Sequence, residues 1–75
     1  MAVVFISGAS SGIGRALAEH YARQGATLGL AARRADLLAT LDGELRAAGA
    51  SAVSTYPLDV ADAPALAAAA QDFIA

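Results

Sequence analysis

Ser7-Gly8-Ala9-Ser10-Ser11-Gly12-Ile13-Gly14 is the stretch on which the fold of this chain turns. Just before it stands Ala2-Val3-Val4-Phe5-Ile6, a short continuous apolar run rich in β-branched side chains. That is the pattern of a strand covered on both faces. Just after it, Gly12 to Gln24 reads as a helix, with Ile13, Ala16, Leu17, His20 and Tyr21 on one face of a 3.6-residue period. Gly25 stands where a helix C-terminal glycine belongs. A glycine-rich turn between strand and helix lets the backbone bend tightly and approach a ligand closely. The unpaired N–H groups and positive dipole end of the helix can then hold a pyrophosphate. The plain alternative is a glycine-rich turn that binds nothing. The spacing is G-x-x-x-G-x-G. It is not a Walker P-loop, which needs a Lys, because all five basic residues are Arg.

Outward from this stretch the two periods keep alternating. Ala26 to Ala32 is a second apolar run of strand length, weakened by Gly29. Asp36 to Ala48 is a second helix, with Leu37, Leu38, Leu41, Leu45 and Ala48 as its apolar stripe and Gly49 closing it. Its internal Gly43 costs about 1 kcal/mol against Ala. Ser51 to Leu58 is a third strand, and Pro57 places it at a sheet edge because proline cannot donate to a ladder. Asp62 can N-cap a third helix, with Pro64 in its first turn and the Ala-rich run Leu66 to Ala75 as its body. Strand and helix in strict alternation mean right-handed βαβ units. The expected fold is therefore α/β: the first half of a doubly wound parallel sheet, βαβαβα, with strand order 3-2-1. The first two helices share one face and the third covers the other, which leaves the first strand as a bare edge.

Composition points the same way. Of 75 residues, 57% are hydrophobic and 16% charged, against roughly 45–50% and 25% in an average domain. A chain this short has little interior and should be more polar than average, so its apolar surplus belongs to something larger or to a partner. The absence of Cys and the single His exclude a disulfide framework, an iron–sulfur cluster and a Cys/His zinc site. A net charge of −2 without a basic run argues against nucleic acid. No apolar stretch approaches a membrane span and no secretory pattern is present, so a cytoplasmic soluble protein is expected.

Two further signals stand at strand ends. Dinucleotide sites that prefer NAD place an acid there after the second strand, for the ribose 2′-hydroxyl, whereas NADP sites place an Arg nearby for the 2′-phosphate. Here the place is taken by Ala31-Ala32-Arg33-Arg34, with no acid. The Arg fork suits phosphate, and two cations at the start of a helix oppose its dipole. Two solvated arginines remain the alternative. After the third strand comes Leu58-Asp59-Val60, whose carboxylate can accept from an adenine amino group or simply cap a turn.

With these three motifs in register the chain resembles the classical short-chain dehydrogenase/reductases over its whole length. Their pattern T-G-x-x-x-G-x-G appears as Ser7 to Gly14, with Ser for the leading Thr. The resemblance implies a Rossmann-type fold and a cofactor site made of Gly8, Ser10, Ser11, Gly12, Ile13 and Gly14 around the diphosphate and adenosine ribose. It also implies Asp59 and Val60 at the adenine. The acidic position of NAD-preferring members falls on Ala32 and the arginine of NADP-preferring members on Arg33, with Arg34 beside it. NADP(H) is therefore expected over NAD(H), along with a small-molecule substrate and a homo-oligomer.

The family chemistry is hydride exchange between nicotinamide and a carbonyl or alcohol, with a Tyr and a Lys four residues later handling the proton. Tyr21 is followed at that distance by Gly25 and Tyr56 by Val60, and the chain has no Lys. Tyr21 and Tyr56 read as packing residues and His20 as a helix-face residue rather than a general base, and no catalytic or metal-binding residue is assigned. The expectation is the cofactor-binding part of an NADP(H)-dependent oxidoreductase, residues 1–75 being one truncated dinucleotide-binding unit. The alternatives are a non-catalytic dinucleotide-binding or sensor module and a remnant that folds only with a partner.

Overall fold

A computed structural model of the chain describes residues 2–75. Six elements follow in strict alternation: β1 (Val3–Ser7), α1 (Gly12–Arg23), β2 (Thr27–Ala32), α2 (Ala35–Ala48), β3 (Ala52–Pro57) and α3 (Ala63–Ile74). The three strands form one parallel sheet in the order β1-β2-β3, which is the 3-2-1 order read from the sequence. Ser7 pairs with Ala31 and Ala32 with Pro57, so all three strands end along one rim.

β2 is the centre. Every residue from Leu28 to Ala32 is buried, as a strand with neighbours on both sides and helices on both faces must be. Its alternate side chains Leu28 and Leu30 enter a core with Ala18 and Ala22 of α1 and Leu38, Leu41 and Leu45 of α2. Each fully buried leucine contributes about 1.5–3 kcal/mol relative to exposure. The other face belongs to α3. There Phe73 lies against Phe5, with ring centroids 5.7 Å apart, and a Cβ on Gly29 would stand 2.8 Å from both rings. Gly29 is thus the seat of the third helix. The Tyr56 hydroxyl adds a tie by donating to Asp72 at 2.7 Å.

The helical periods are as expected, but the phase of α1 is not. Ile13 and Leu17, assigned to its inner face, are 79% and 47% exposed, and the buried positions are Gly14, Ala18 and Ala22. Small side chains let α1 approach the sheet closely and turn the larger ones outward. On α2 the stripe narrows to Leu38, Leu41 and Leu45, leaving Leu37 and Ala48 exposed. β1 is an edge, and Val3 is 65% exposed. No helix among the described residues is long and apolar enough to cross a membrane.

Candidate functional site

The site grows from the rim at the carboxyl ends of the strands, where open α/β sheets bind ligands. The chain leaves β1 at Gly8, whose N–H donates to the Ala31 carbonyl at 2.9 Å, and Ala9 N–H reaches the same carbonyl at 3.3 Å. Leu58 N–H, just past β3, donates to Ala32 at 2.9 Å. The loops after β1 and β3 are therefore both anchored on the end of β2.

Gly8 turns the loop at φ +69°, a left-handed conformation that L side chains rarely adopt. Three residues on, Ser11 caps α1: its Oγ accepts from Gly14 N–H at 3.2 Å and donates to the Gly8 carbonyl at 2.8 Å. One hydroxyl thus closes the loop and starts the helix. A Ser just before the first helical residue is a recognised cap signal, and the sequence reading placed Ser11 only in the ligand loop. Gly14 is buried where α1 sits on the loop, and a Cβ there would stand 2.3 Å from the Gly8 carbonyl oxygen. Gly12 differs, since a Cβ there would meet nothing within 4 Å. Neither Gly12 nor Ile13 finds a backbone hydrogen-bond partner for its N–H among the described residues. The exposed start of α1 therefore offers two free donors and the positive end of the helix dipole, the donor set a diphosphate needs. Ser10 is exposed beside them.

Across the rim the arginines are spoken for differently. Arg33 Nη2 lies 3.0 Å from Asp59 Oδ2, spanning from the end of β2 to the end of β3. Asp59 also accepts from Ala61 N–H at 2.9 Å. First that amide and then Arg33 hold its carboxyl below the ordinary carboxylate value. Both carboxylate oxygens of Asp59 are thus engaged, one in capping the turn and one across the rim. Val60, next to it, is 40% exposed. Arg34 instead turns along α2 and grips Asp36 through two nitrogens, Nε to Oδ1 at 3.2 Å and Nη2 to Oδ2 at 2.6 Å. This contact lowers the Asp36 carboxyl pKa and raises that of Arg34. In sequence Asp36 is the acid that opens the second helix, and its grip on Arg34 has no signature in spacing.

Tyr21 packs on the core, and the edge of its ring pair with His20 spans 5.1 Å between centroids. Hydrogen bonding to Asp72 raises the Tyr56 hydroxyl pKa, away from the value a proton donor near neutral pH would use. Among the described residues no group of three or more His, Cys, Asp or Glu is placed to hold a metal.

The sequence profile of the family described as short chain dehydrogenase matches residues 2–75. The chain belongs to this family. A hydroxysteroid 11-beta-dehydrogenase 1-like protein of Danio rerio is 43% identical over 59 residues, which is 79% of this chain and 21% of the relative. The solved alcohol dehydrogenase of the archaeon Thermococcus sibiricus, complexed with 5-hydroxy-NADP, superposes with a TM-score of 0.87 at 37% identity, covering 99% of this chain and 32% of the other. A short-chain dehydrogenase from Sphingobium yanoikuyae in complex with NADPH does so with a TM-score of 0.81 at 41% identity, over 91% and 27% of the two chains. The chain therefore spans between a fifth and a third of the length of these short-chain dehydrogenases.

Proposed function

We propose that the chain is the cofactor-binding part of an NADP(H)-dependent oxidoreductase that moves a hydride between the nicotinamide and a carbonyl or alcohol of a small-molecule substrate. The observation that carries the cofactor choice is Arg33. It stands at the end of β2, 76% exposed along its side chain, where an acid would be needed to favour a free ribose 2′-hydroxyl, and Ala32 supplies none. Gly8, Ser10, Ser11, Gly12, Ile13 and Gly14 hold the diphosphate and adjoining ribose, the N–H groups of Gly12 and Ile13 donating to phosphate oxygens. Asp59 and Val60 flank the adenine, and Arg33, with Arg34 near it, faces the 2′-phosphate. The bound dinucleotide supplies the hydride chemistry. What these residues do is bind and orient it. The NADP-containing family structures support this reading, as does family membership for a cytoplasmic homo-oligomer.

The test is a parallel titration of NADPH and NADH against Arg33→Ala in the intact protein. Loss of charge-assisted contacts is expected to weaken NADPH roughly ten- to a hundredfold and to leave NADH nearly unmoved. Equal losses for the two cofactors refute the assignment of Arg33 to the 2′-phosphate.

A further inference from the structure

We propose that Asp36 is a positioning residue that weakens the 2′-phosphate preference by holding Arg34 to itself. This rests on the reading of Arg33 and Arg34 as the phosphate-facing pair. The two arginines are adjacent in sequence yet engaged unequally. Arg33 makes one contact at 3.0 Å, to an Asp59 oxygen of a carboxyl that the Ala61 amide also uses. Arg34 presents its fork to both oxygens of Asp36, at 3.2 and 2.6 Å. That parallel two-bond geometry is the one a guanidinium would use on a phosphate, so the carboxylate and the phosphate compete for the same donors.

Local structure explains why the carboxylate wins in the free protein. Asp36 lies in the first turn of α2, where the positive end of the helix dipole favours an anion, and Arg34 is the N-cap residue with no side-chain cap bond of its own. A cation at that point opposes the dipole, and Asp36, two residues on, compensates it. The pair is open to water, with side-chain exposures of 64% and 65%. It is therefore weak, in the range that exposed ion pairs span. A ligand phosphate must still break it before Arg34 can contribute. NADH carries no 2′-phosphate and leaves the pair undisturbed.

The experiment titrates NADPH and NADH against the intact protein and four variants: Asp36→Asn, Asp36→Glu, Arg34→Ala and the Arg34→Ala/Asp36→Asn double variant. Asp36→Asn is expected to tighten NADPH roughly two- to fivefold, the equivalent of one exposed ion pair, and to leave NADH unchanged. Asp36→Glu, which keeps the charge, is expected to behave as the parent. In the Arg34→Ala background the Asp36→Asn gain should vanish, because its route through Arg34 is gone. A gain that persists there means that loss of a negative charge acts directly on the phosphate, and overturns the proposal. So does an unchanged or weakened NADPH affinity in Asp36→Asn. If Arg33→Ala lowers the NADPH-to-NADH ratio while Asp36→Asn leaves it alone, only the role of Asp36 falls. If neither changes that ratio, the 2′-phosphate reading falls and this proposal with it.

Discussion

Gly14→Ala tests the geometry of the glycine loop most directly. A Cβ at this position would stand 2.3 Å from the Gly8 carbonyl oxygen and 3.0 Å from both Ala9 Cα and Gly8 C. Carbon and carbonyl oxygen in close contact ordinarily sit about 3.3–3.6 Å apart, so the loop must retreat by roughly 1 Å. All three obstacles are backbone, so no side-chain rotation relieves the clash. Forcing a methyl into a packed site costs typically about 1–3 kcal/mol, with the upper part of that range, about 2–3 kcal/mol, applying where every obstacle is backbone, and the gain in helix propensity from Gly to Ala returns about 1 kcal/mol. A net destabilisation of roughly 1–2 kcal/mol is expected by chemical denaturation. The same displacement moves Gly8 and the Ser11 cap, which accepts from the Gly14 N–H itself. NADPH affinity should therefore fall as well, by roughly tenfold or more, since one or two hydrogen bonds to a charged group are misplaced.

Gly12→Ala is the control that makes the test sharp. A Cβ there meets nothing within 4 Å, so the folded protein should lose no stability. On the proposed placement of the diphosphate at the free Gly12 and Ile13 N–H groups, the added methyl crowds the ligand, so cofactor affinity should drop while the unfolding curve stays in place. A Gly14→Ala protein as stable as the parent would refute the packing argument. A Gly12→Ala protein that binds NADPH like the parent would refute the placement of the diphosphate.

Three further outcomes are expected. Gly43 is exposed inside α2 with nothing within 4 Å of a built Cβ, so Gly43→Ala should stabilise the protein by roughly 0.5–1 kcal/mol in denaturant titration, and a loss would contradict the helix interior seen here. Asp59 and Asp36 have folded-state pKa values below the ordinary 3.8, so their stabilising pairs are complete above that value and disappear as pH falls through the lower folded one. Melts between pH 7 and pH 3 should show an acid limb beginning near pH 4 that flattens in an Asp36→Asn/Asp59→Asn variant, and an unaltered limb would assign acid unfolding elsewhere. Expressed as these 75 residues alone, the chain presents an edge strand together with Val3 65%, Ile13 79% and Ile74 77% exposed. It should self-associate or fold poorly, which light scattering and melting report, and a monomer with a cooperative transition would argue against this.

The order of elements was legible because each signal was local. The β-branched run of β1 led into Gly8 and that of β3 ended at Pro57, and the leucine repeat of α2 stood at helical spacing. What a period does not carry is its phase. Ile13 and Leu17 are more hydrophobic than Ala18 and Ala22, and a reading that ranks residues by hydrophobicity turns α1 by one position. The packed structure prefers the small residues inside because they bring the helix axis nearer to the sheet, where Leu28 and Leu30 fill the space. The same logic recasts Gly29. Its lack of a side chain looked like a flaw in a strand, yet it is what admits Phe5 and Phe73 to one spot.

The geometry of the glycine loop was legible in the same measure. A glycine spacing states where backbone can turn, and Gly8 and Gly14 do what that spacing requires. Charge pairing has no such spacing rule. Arg33 and Asp59 stand 26 positions apart in the chain and meet only because parallel register brings the ends of β2 and β3 to one rim. Arg34 and Asp36 stand two apart and meet only because a helix begins between them. A basic pair at a strand end therefore reads from sequence as one phosphate ligand, Arg33, with a second arginine beside it whose partner is not visible. In the folded chain one arginine makes a single contact across the rim to Asp59 and the other a two-bond contact to Asp36, both open to water, and the proposed competition with a phosphate rests on that difference in geometry.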